Sequence, residues 1–359
     1  MNSPDNQYLN ITISNAQDGT SPYPQNKQAI YDETLPISVL DDPSQYYCSI
    51  LRFSMPLDTI PLFLFPVNVN QANPDVSNLL IGIKYLGVSY PSYVIYTPNN
   101  NIPAPVPVAV VPPYFTPTQT SSPYYFIYSV QQFLTMINTG LSVAFVASGS
   151  PGGVLPYYIY TPQTQLISLI VDAAFLVSGA TIYMNAFLKT YLDSFPFIET
   201  VPGVYGNDNT FIFTHDLSIL PFGGTSPYQF QEEYNALDLW FDIRKIVVTT
   251  SSIPIVPEAS PIAYNISNSN GLGAYLPILT DFVVSYNNIQ DITSILVYNP
   301  TAQYRLIDMN SKAPITRINL AFYWQSEIGT LFPIFLSPAQ SITVKIGFLK
   351  KSLYNPLRK

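Results

Sequence analysis

Catalysis requires groups poised to exchange protons, a nucleophile with its base, or a bound metal. This sequence supplies few of them. Its single histidine, His215, stands beside Asp216 and after the strand-like Phe211-Ile212-Phe213. One histidine cannot build a His-rich metal site, and no Gly-x-Ser-x-Gly elbow accompanies it, so a hydrogen-bonded histidine at a strand end is the expected role. The single cysteine, Cys48, excludes an intramolecular disulfide framework and a multi-cysteine metal site. It lies in the apolar run Tyr46 to Phe53 and reads as a buried, inert thiol. Asp41-Asp42 could ligate calcium, but no Asp-x-Asp-x-Asp-Gly pattern surrounds the pair, and a turn or cap is expected. Gly149-Ser150-Pro151-Gly152-Gly153 lacks the lysine and following helix of a phosphate loop, and no Gly-x-Gly-x-x-Gly follows a strand. Arg305 and Asp308 read as structural ion-pair partners, with each other or across a subunit contact. No catalytic, cofactor-binding or metal-binding residue is assigned, and no small-molecule substrate is expected.

The elements that would have to position such groups are mostly strands. Between Thr280 and Lys351, short segments follow one another with turn residues about every 8–12 positions, the spacing of an antiparallel sandwich or barrel. Ile318, Leu320, Phe322 and Trp324 alternate with other residues, as do Ile342, Val344, Ile346 and Phe348. That period of two puts one apolar face on each strand. Nearer the start, Leu9, Ile11 and Ile13 alternate in the same way, and Tyr46 to Ser54 forms a stronger strand. Leu79 to Val88 and Tyr93 to Tyr96 add two more. Residues 99–123 hold seven prolines and read as an extended, polyproline-like arm able to reach a neighbouring subunit.

Helix is expected only in the middle. Ser129 with Gln132 is a capping-box pattern, and Val130, Phe133, Leu134, Ile137 and Leu141 form an apolar stripe that Gly140 or Gly149 to Gly153 would end. Further helical candidates are Gln163 to Leu176 and Ala186 to Leu192. The apolar segment Leu166 to Met184 is borderline in length for a membrane span, and Asp172 inside it argues for core elements instead. No membrane span is expected. The opening Met1-Asn2-Ser3-Pro4-Asp5 has neither a basic n-region nor an apolar h-region, so synthesis without a signal peptide is expected.

These readings divide the chain into a β-rich domain at 1–230, with the proline-rich loop 99–123 and a helical segment at 125–200, and a β-sandwich at 231–350. A basic tail, 351–359, follows. Ser49-Ile50-Leu51-Arg52-Phe53 leading to Thr59-Ile60-Pro61-Leu62 is echoed by Asp242-Ile243-Arg244-Lys245-Ile246 leading to Ser252-Ile253-Pro254-Ile255. The echo reads either as a duplicated β unit or as shared turn chemistry.

Composition bears on what such a protein does. Of its 359 residues only 10% are charged, while 28 are tyrosine and 34 proline; ordinary soluble domains carry about 25% charged residues. A polar but largely uncharged surface can be covered by neighbours without desolvating many ions, and tyrosine is enriched at protein contacts. The net charge is −8, and Lys345, Lys350, Lys351, Arg358 and Lys359 form the only basic cluster. That is too few cations for strong nucleic-acid binding, so genome contact is expected at most through the C-terminal tail.

In Tyr46 to Pro61, in Tyr124 to Tyr128 with the helix that follows, and in Tyr304 to Lys351, the chain resembles the smaller jelly-roll capsid proteins of tailless icosahedral double-stranded DNA viruses such as virophages and Polinton-like viruses. The resemblance implies a mainly β fold of jelly-roll-type antiparallel sandwiches with a small helical insertion, and a place in the virion. It further implies a penton at the five-fold vertices, assembled as a homopentamer beside a major capsid protein. The tandem echo would suit a small double-jelly-roll major capsid protein forming trimers instead. A reading from another class is a carbohydrate-binding or adhesion module, with exposed tyrosines and Trp240 or Trp324 stacking on sugars.

Overall fold

The computed structural model describes residues 6–16, 27–67, 73, 75–98, 125–200, 210–213, 227–241, 243–256, 258–259, 275–284, 295–298, 305–326 and 331–354. The proline-rich segment 99–123 and His215 lie outside them, as do residues 355–359 of the C-terminal tail. Two compact units account for the chain: residues 1–60 with 243–359 (and 100–103), and residues 61–242 less that short piece.

The first unit is a sandwich of two five-stranded antiparallel sheets. Its eight principal strands, in chain order, are Asn6–Ser14, Ile30–Thr34, Tyr46–Pro56, Ile243–Thr249, Ile278–Val283, Ile295–Tyr298, Arg317–Ser326 and Ser341–Lys350. One sheet runs first–eighth–third–sixth and the other second–seventh–fourth–fifth. Each sheet thus interleaves early and late strands, which is the double Greek-key winding of a jelly roll. The alternation read from sequence sets the register: Ile318, Leu320, Phe322, Trp324, Ile342, Val344, Ile346 and Phe348 are all buried. Phe53 of the third strand crosses the sandwich to stack on Phe282 at 4.9 Å and Phe322 at 5.7 Å, which ties the two sheets face to face.

The second unit carries a five-stranded sheet, in the order Phe197–Thr200, Thr210–Phe213, Thr181–Asn185, Val76–Tyr85, Val88–Ile95. It also has a three-stranded sheet of Tyr228–Gln231, Leu166–Val171 and Tyr157–Thr161. The hairpin at Tyr85 and Val88 turns through Leu86 and Gly87, both at positive φ (50° and 77°), the two-residue turn whose twist matches the flanking strands. The Val130–Ala147 helix starts where the capping box placed it. Ser129 Oγ accepts from the Gln132 amide at 3.1 Å, and Gln132 Oε1 accepts from the Tyr128 amide at 3.2 Å. Gly140 does not end this helix. It lies inside it, where a Cβ would meet Ile81 Cγ2 at 3.2 Å, so glycine permits close approach to the sheet. By length and composition this helix could cross a membrane, but half of it is buried within the unit. Phe63, Phe133, Tyr191 and Trp240 meet edge-on or tilted at 4.8–5.9 Å and form the aromatic heart of the unit.

Three sequence expectations differ from these findings. The division is not a single cut at residue 230: one boundary falls at 242/243 and another at 60/61, because Asn6–Ser14 pairs with Ser341–Lys350, and Ile30–Thr34 with Arg317–Ser326, so the N-terminal strands belong to the C-terminal sandwich. Gln163 to Leu176 is not one helix. It is the strand Leu166–Val171 followed by the short helix Ala173–Val177, capped by Asp172, whose carboxylate accepts from the Ala174 amide. A continuous apolar run does not by itself separate a buried strand from a helix. The two echoed segments do not begin tandem domains either, because their strands, Tyr46–Pro56 and Ile243–Thr249, both sit in the first unit, on opposite sheets. Among the described residues the second unit does not repeat the eight-strand order.

Each unit owns one buried tryptophan, Trp324 in the first and Trp240 in the second. Phe53→Ala removes the cross-sheet stack and should cost the first unit about 3–5 kcal/mol. In urea unfolding, Trp324 fluorescence in a Trp240→Phe background should shift to a lower midpoint. Trp240 fluorescence in a Trp324→Phe background should not move.

Candidate functional site

The residues that sequence reading weighed for chemistry are dispersed by the fold. Asp42 caps the 3₁₀ turn Pro43–Gln45, with Oδ1 accepting from the Ser44 amide at 3.2 Å, and Asp41 accepts from the Ser38 hydroxyl. The pair is therefore spent on local structure. Gly149, Ser150, Gly152 and Gly153 all take positive φ in the reversal after the long helix. A Cβ on Gly152 would lie 2.4 Å from the Phe175 nitrogen, so this glycine is needed for packing on the next helix. Cys48 is buried, and burial pushes its thiol up to about 12, which leaves no thiolate near neutral pH. Arg305 and Asp308 do not pair with each other: Arg305 reaches Asp281 at 3.1 Å, and Asp308 receives Lys351 at 2.8 Å. Among the described residues no three His, Cys, Asp or Glu side chains converge as a metal site.

Trp240 and Trp324 are 1% and 0% exposed, so neither ring is open to stack on a sugar. Trp240 Nε1 donates to the Tyr191 carbonyl at 2.8 Å, which satisfies its polar atom inside the core.

One titratable group was missed from sequence. Glu232 follows Tyr228–Gln231 in a strand phase that places Phe230 and Glu232 on one face, and it is only 3% exposed. Its Oε2 accepts from the Ile167 amide at 2.7 Å, while its own amide donates to the Ile167 carbonyl at 3.0 Å. Burial pushes its carboxyl up to about 7, against the opposing pull of the Ile167 amide and the Ser194 hydroxyl. The signal lay in the alternation, which continues one residue beyond the last apolar side chain.

What the first unit does present is surface. On the outer face of its first sheet, Asn10, Thr12 and Arg52 are exposed and Ser54 and Thr343 half-buried, with Ser54 Oγ and Thr343 Oγ1 bonded at 2.6 Å. Ile295 and Val297, on the sixth strand at the sheet edge, are 65% and 54% exposed. The C-terminal basic cluster is partly built into this unit. Lys351 Nζ donates to the Ser44 carbonyl at 2.7 Å and the Met309 carbonyl at 3.2 Å, and lies 5.4 Å from the Tyr47 ring centre. Lys345 lies over the Tyr8 ring at 5.0 Å. Charge divides sharply between the units: residues 61–99 and 104–242 hold 10 Asp/Glu and 2 Lys/Arg, a net of −8, whereas the remainder holds 12 of each.

A double Greek-key sandwich, with hydroxyl, amide and apolar groups on its flanks and no converging catalytic or metal-binding cluster among the described residues, defines a jelly-roll structural protein of the capsid class. The chain matches the family model of the Sputnik minor capsid protein V18/19 over residues 7–350 and belongs to that family. It is a minor capsid protein, a structural component of the virion. It is 30% identical to "Structural protein V19" of Sputnik virophage over 213 residues, 55% of this chain and 94% of that protein. It is 34% identical to "Uncharacterized protein V18" of the same virophage over 160 residues, 42% of this chain and 88% of that one. A chain of the Sputnik virophage structure solved by cryo-electron microscopy superimposes with a TM-score of 0.73 at 30% identity, covering 98% of this chain and 99% of that one. The mavirus penton protein shares the fold with a TM-score of 0.60 at 14% identity, over 96% of this chain and 99% of that one.

Glu232 makes the second unit sensitive to pH. Its folded value lies above the ordinary 4.5, so the folded state holds the proton more tightly than the unfolded chain does. The resulting stability is full below about pH 4.5 and is lost as pH rises through about 7. Glu232→Gln keeps an acceptor for Ile167 and removes the titration. It should raise the stability read by Trp240 fluorescence by roughly 2–3 kcal/mol at pH 8 and by little at pH 4.5.

Proposed function

We propose that this chain is the penton of an icosahedral shell: a homopentamer that closes the five-fold vertices and abuts a major capsid protein around its rim. The observation that carries this reading is the likeness, over nearly its whole length, to the fold of the mavirus penton protein, joined to membership of a minor capsid family. The physical fit is direct. A jelly roll is a rigid wedge with loops free at both ends, and one repeated side-to-side contact generates a closed ring. Flanks rich in hydroxyls and amides lose little on being covered, compared with flanks rich in ions.

The same reading makes the protein architectural rather than enzymatic, supported by its capsid relatives. Genome contact has a minor part in it. Two of the five basic residues near the C-terminus, Lys345 and Lys351, already lie against Tyr8 and Tyr47, and Lys351 is paired with Asp308 as well.

Purified full-length protein should run in multi-angle light scattering at five times the chain mass of 40.0 kDa, and negative-stain images should show five-fold rings. A monomer that persists at high protein concentration, or trimers in the images, would overturn the penton assignment.

A further inference from the structure

The outer face of the first sheet carries charge that its own sheet does not balance. Lys345 of the eighth strand stands directly opposite Arg52 of the third. The four principal strands of this sheet contain no Asp or Glu, and the one carboxylate of its short fifth strand Ile307–Asp308, Asp308, is taken by Lys351 at 2.8 Å. Like charges facing each other across a strand pair destabilise a sheet. Among the described residues neither cation forms a salt bridge, and the Tyr8 ring is the compensation that Lys345 finds. All carboxylates of the eight principal strands lie on the other sheet: Asp32, Glu33 and Asp281. Asp32 is held bidentately by Arg317, at 2.7 Å and 2.5 Å, and Asp281 receives both Lys245 and Arg305. Glu33, opposite Ile318 on the core-facing side of the second strand, projects past the edge of the core at the rim of the sandwich, where it is exposed and has no cation against it among the described residues.

One sandwich therefore displays two unmatched sites of opposite sign on its two different sheets. We propose that Arg52 and Lys345 of one copy dock against Glu33 of a second copy, as the charged centre of the contact that joins neighbours. The proposal rests on the homo-oligomeric reading above and adds to it the faces that meet. A contact between two different faces is heterologous and closes into a ring when its rotation permits, whereas a face that met itself would stop at a dimer. The surroundings fit burial against protein. The bonded hydroxyls of Ser54 and Thr343 flank the cations with their hydrogen-bonding already satisfied, and the exposed Ile295 and Val297 add apolar area at the edge. Opposite charges facing across such a contact set its register and disfavour wrong docking. A phosphate partner fits less well, because two cations neutralise little of a polyanion and the chain as a whole is at −8.

The test is charge reversal in the full chain, read by light scattering across a concentration series. Arg52→Glu with Lys345→Glu, and separately Glu33→Lys, should each weaken assembly by about tenfold or more, with circular dichroism and thermal midpoint kept. The triple variant should recover assembly. Arg52→Gln with Lys345→Gln, a milder pair that keeps the sheet polar, should weaken assembly in the same direction. If the reversed pair assembles as wild type does, or the triple variant fails to recover, the contact is overturned while the ring itself stands. If wild-type chain never assembles, the oligomeric reading falls first. Binding of wild-type chain to duplex DNA or to phosphatidylserine vesicles that the reversed pair abolishes, with assembly unchanged, would also overturn it and assign these cations to a phosphate partner.

Discussion

The structure depends above all on a pairing between the two ends of the chain. Asn6–Ser14 lies antiparallel to Ser341–Lys350 in unbroken register from Asn6 with Leu349 to Ser14 with Ser341. Tyr46–Pro56 flanks that same last strand on its other side. Without the eighth strand the first sheet has no centre: the first strand loses its ladder, and the third keeps only its short partners at Ile295–Tyr298 and Ile307–Asp308. The inner face of this sheet is what Phe53, Val344 and Ile346 contribute to the core, and burial of that apolar surface is the main favourable term in holding the two sheets together. Lys351 lies just past the eighth strand, where its contacts with Asp308 and the Ser44 carbonyl hold the end of that strand against the segments beside it.

Much of this sandwich was legible in the sequence, because antiparallel strands with one wet face write their period of two into the order of side chains. Every apolar position read from the seventh and eighth strands is buried. The main helix was legible for a related reason: a serine cap, a glutamine three residues on and a 3.6-residue stripe are all local signals. Pairing partners are not local. Nothing in the composition around residue 230 tells that strands near residue 10 return to a sheet made near residue 345, so a boundary drawn from composition falls in the wrong place. The helix expected over Gln163 to Leu176 failed for a different reason. Strands covered on both faces are apolar without alternation, and that pattern does not distinguish them from helix.

The site was less legible than the fold. Sequence reading could say which chemistry was not provided for, since one histidine and one cysteine exclude most constellations. It could not find Glu232, because a carboxylate becomes unusual through what buries it. It also could not see that the acidic excess of the whole chain collects in the second unit while the sandwich is balanced. That partition emerges only once the sandwich is known to be assembled from both ends of the chain. The low charge read from composition takes a definite form in the fold, as a hydroxyl- and amide-lined sheet face beside a few isolated apolar side chains.

The end-to-end ladder also orders events during synthesis on the ribosome. The second unit is drawn from one nearly continuous stretch and is fully synthesised before residue 243 is added, so it can leave the exit tunnel and fold while the later strands of the sandwich are still being made. The sandwich cannot. Its first and third strands must wait for residues 341–350 and its second for residues 317–326, with one apolar face uncovered until those clear the exit tunnel. Loop closure over more than three hundred residues is slow, and exposed strand edges are open to mispairing in the interval. Crowded polysomes of this message therefore set nascent chains beside one another while those edges are open.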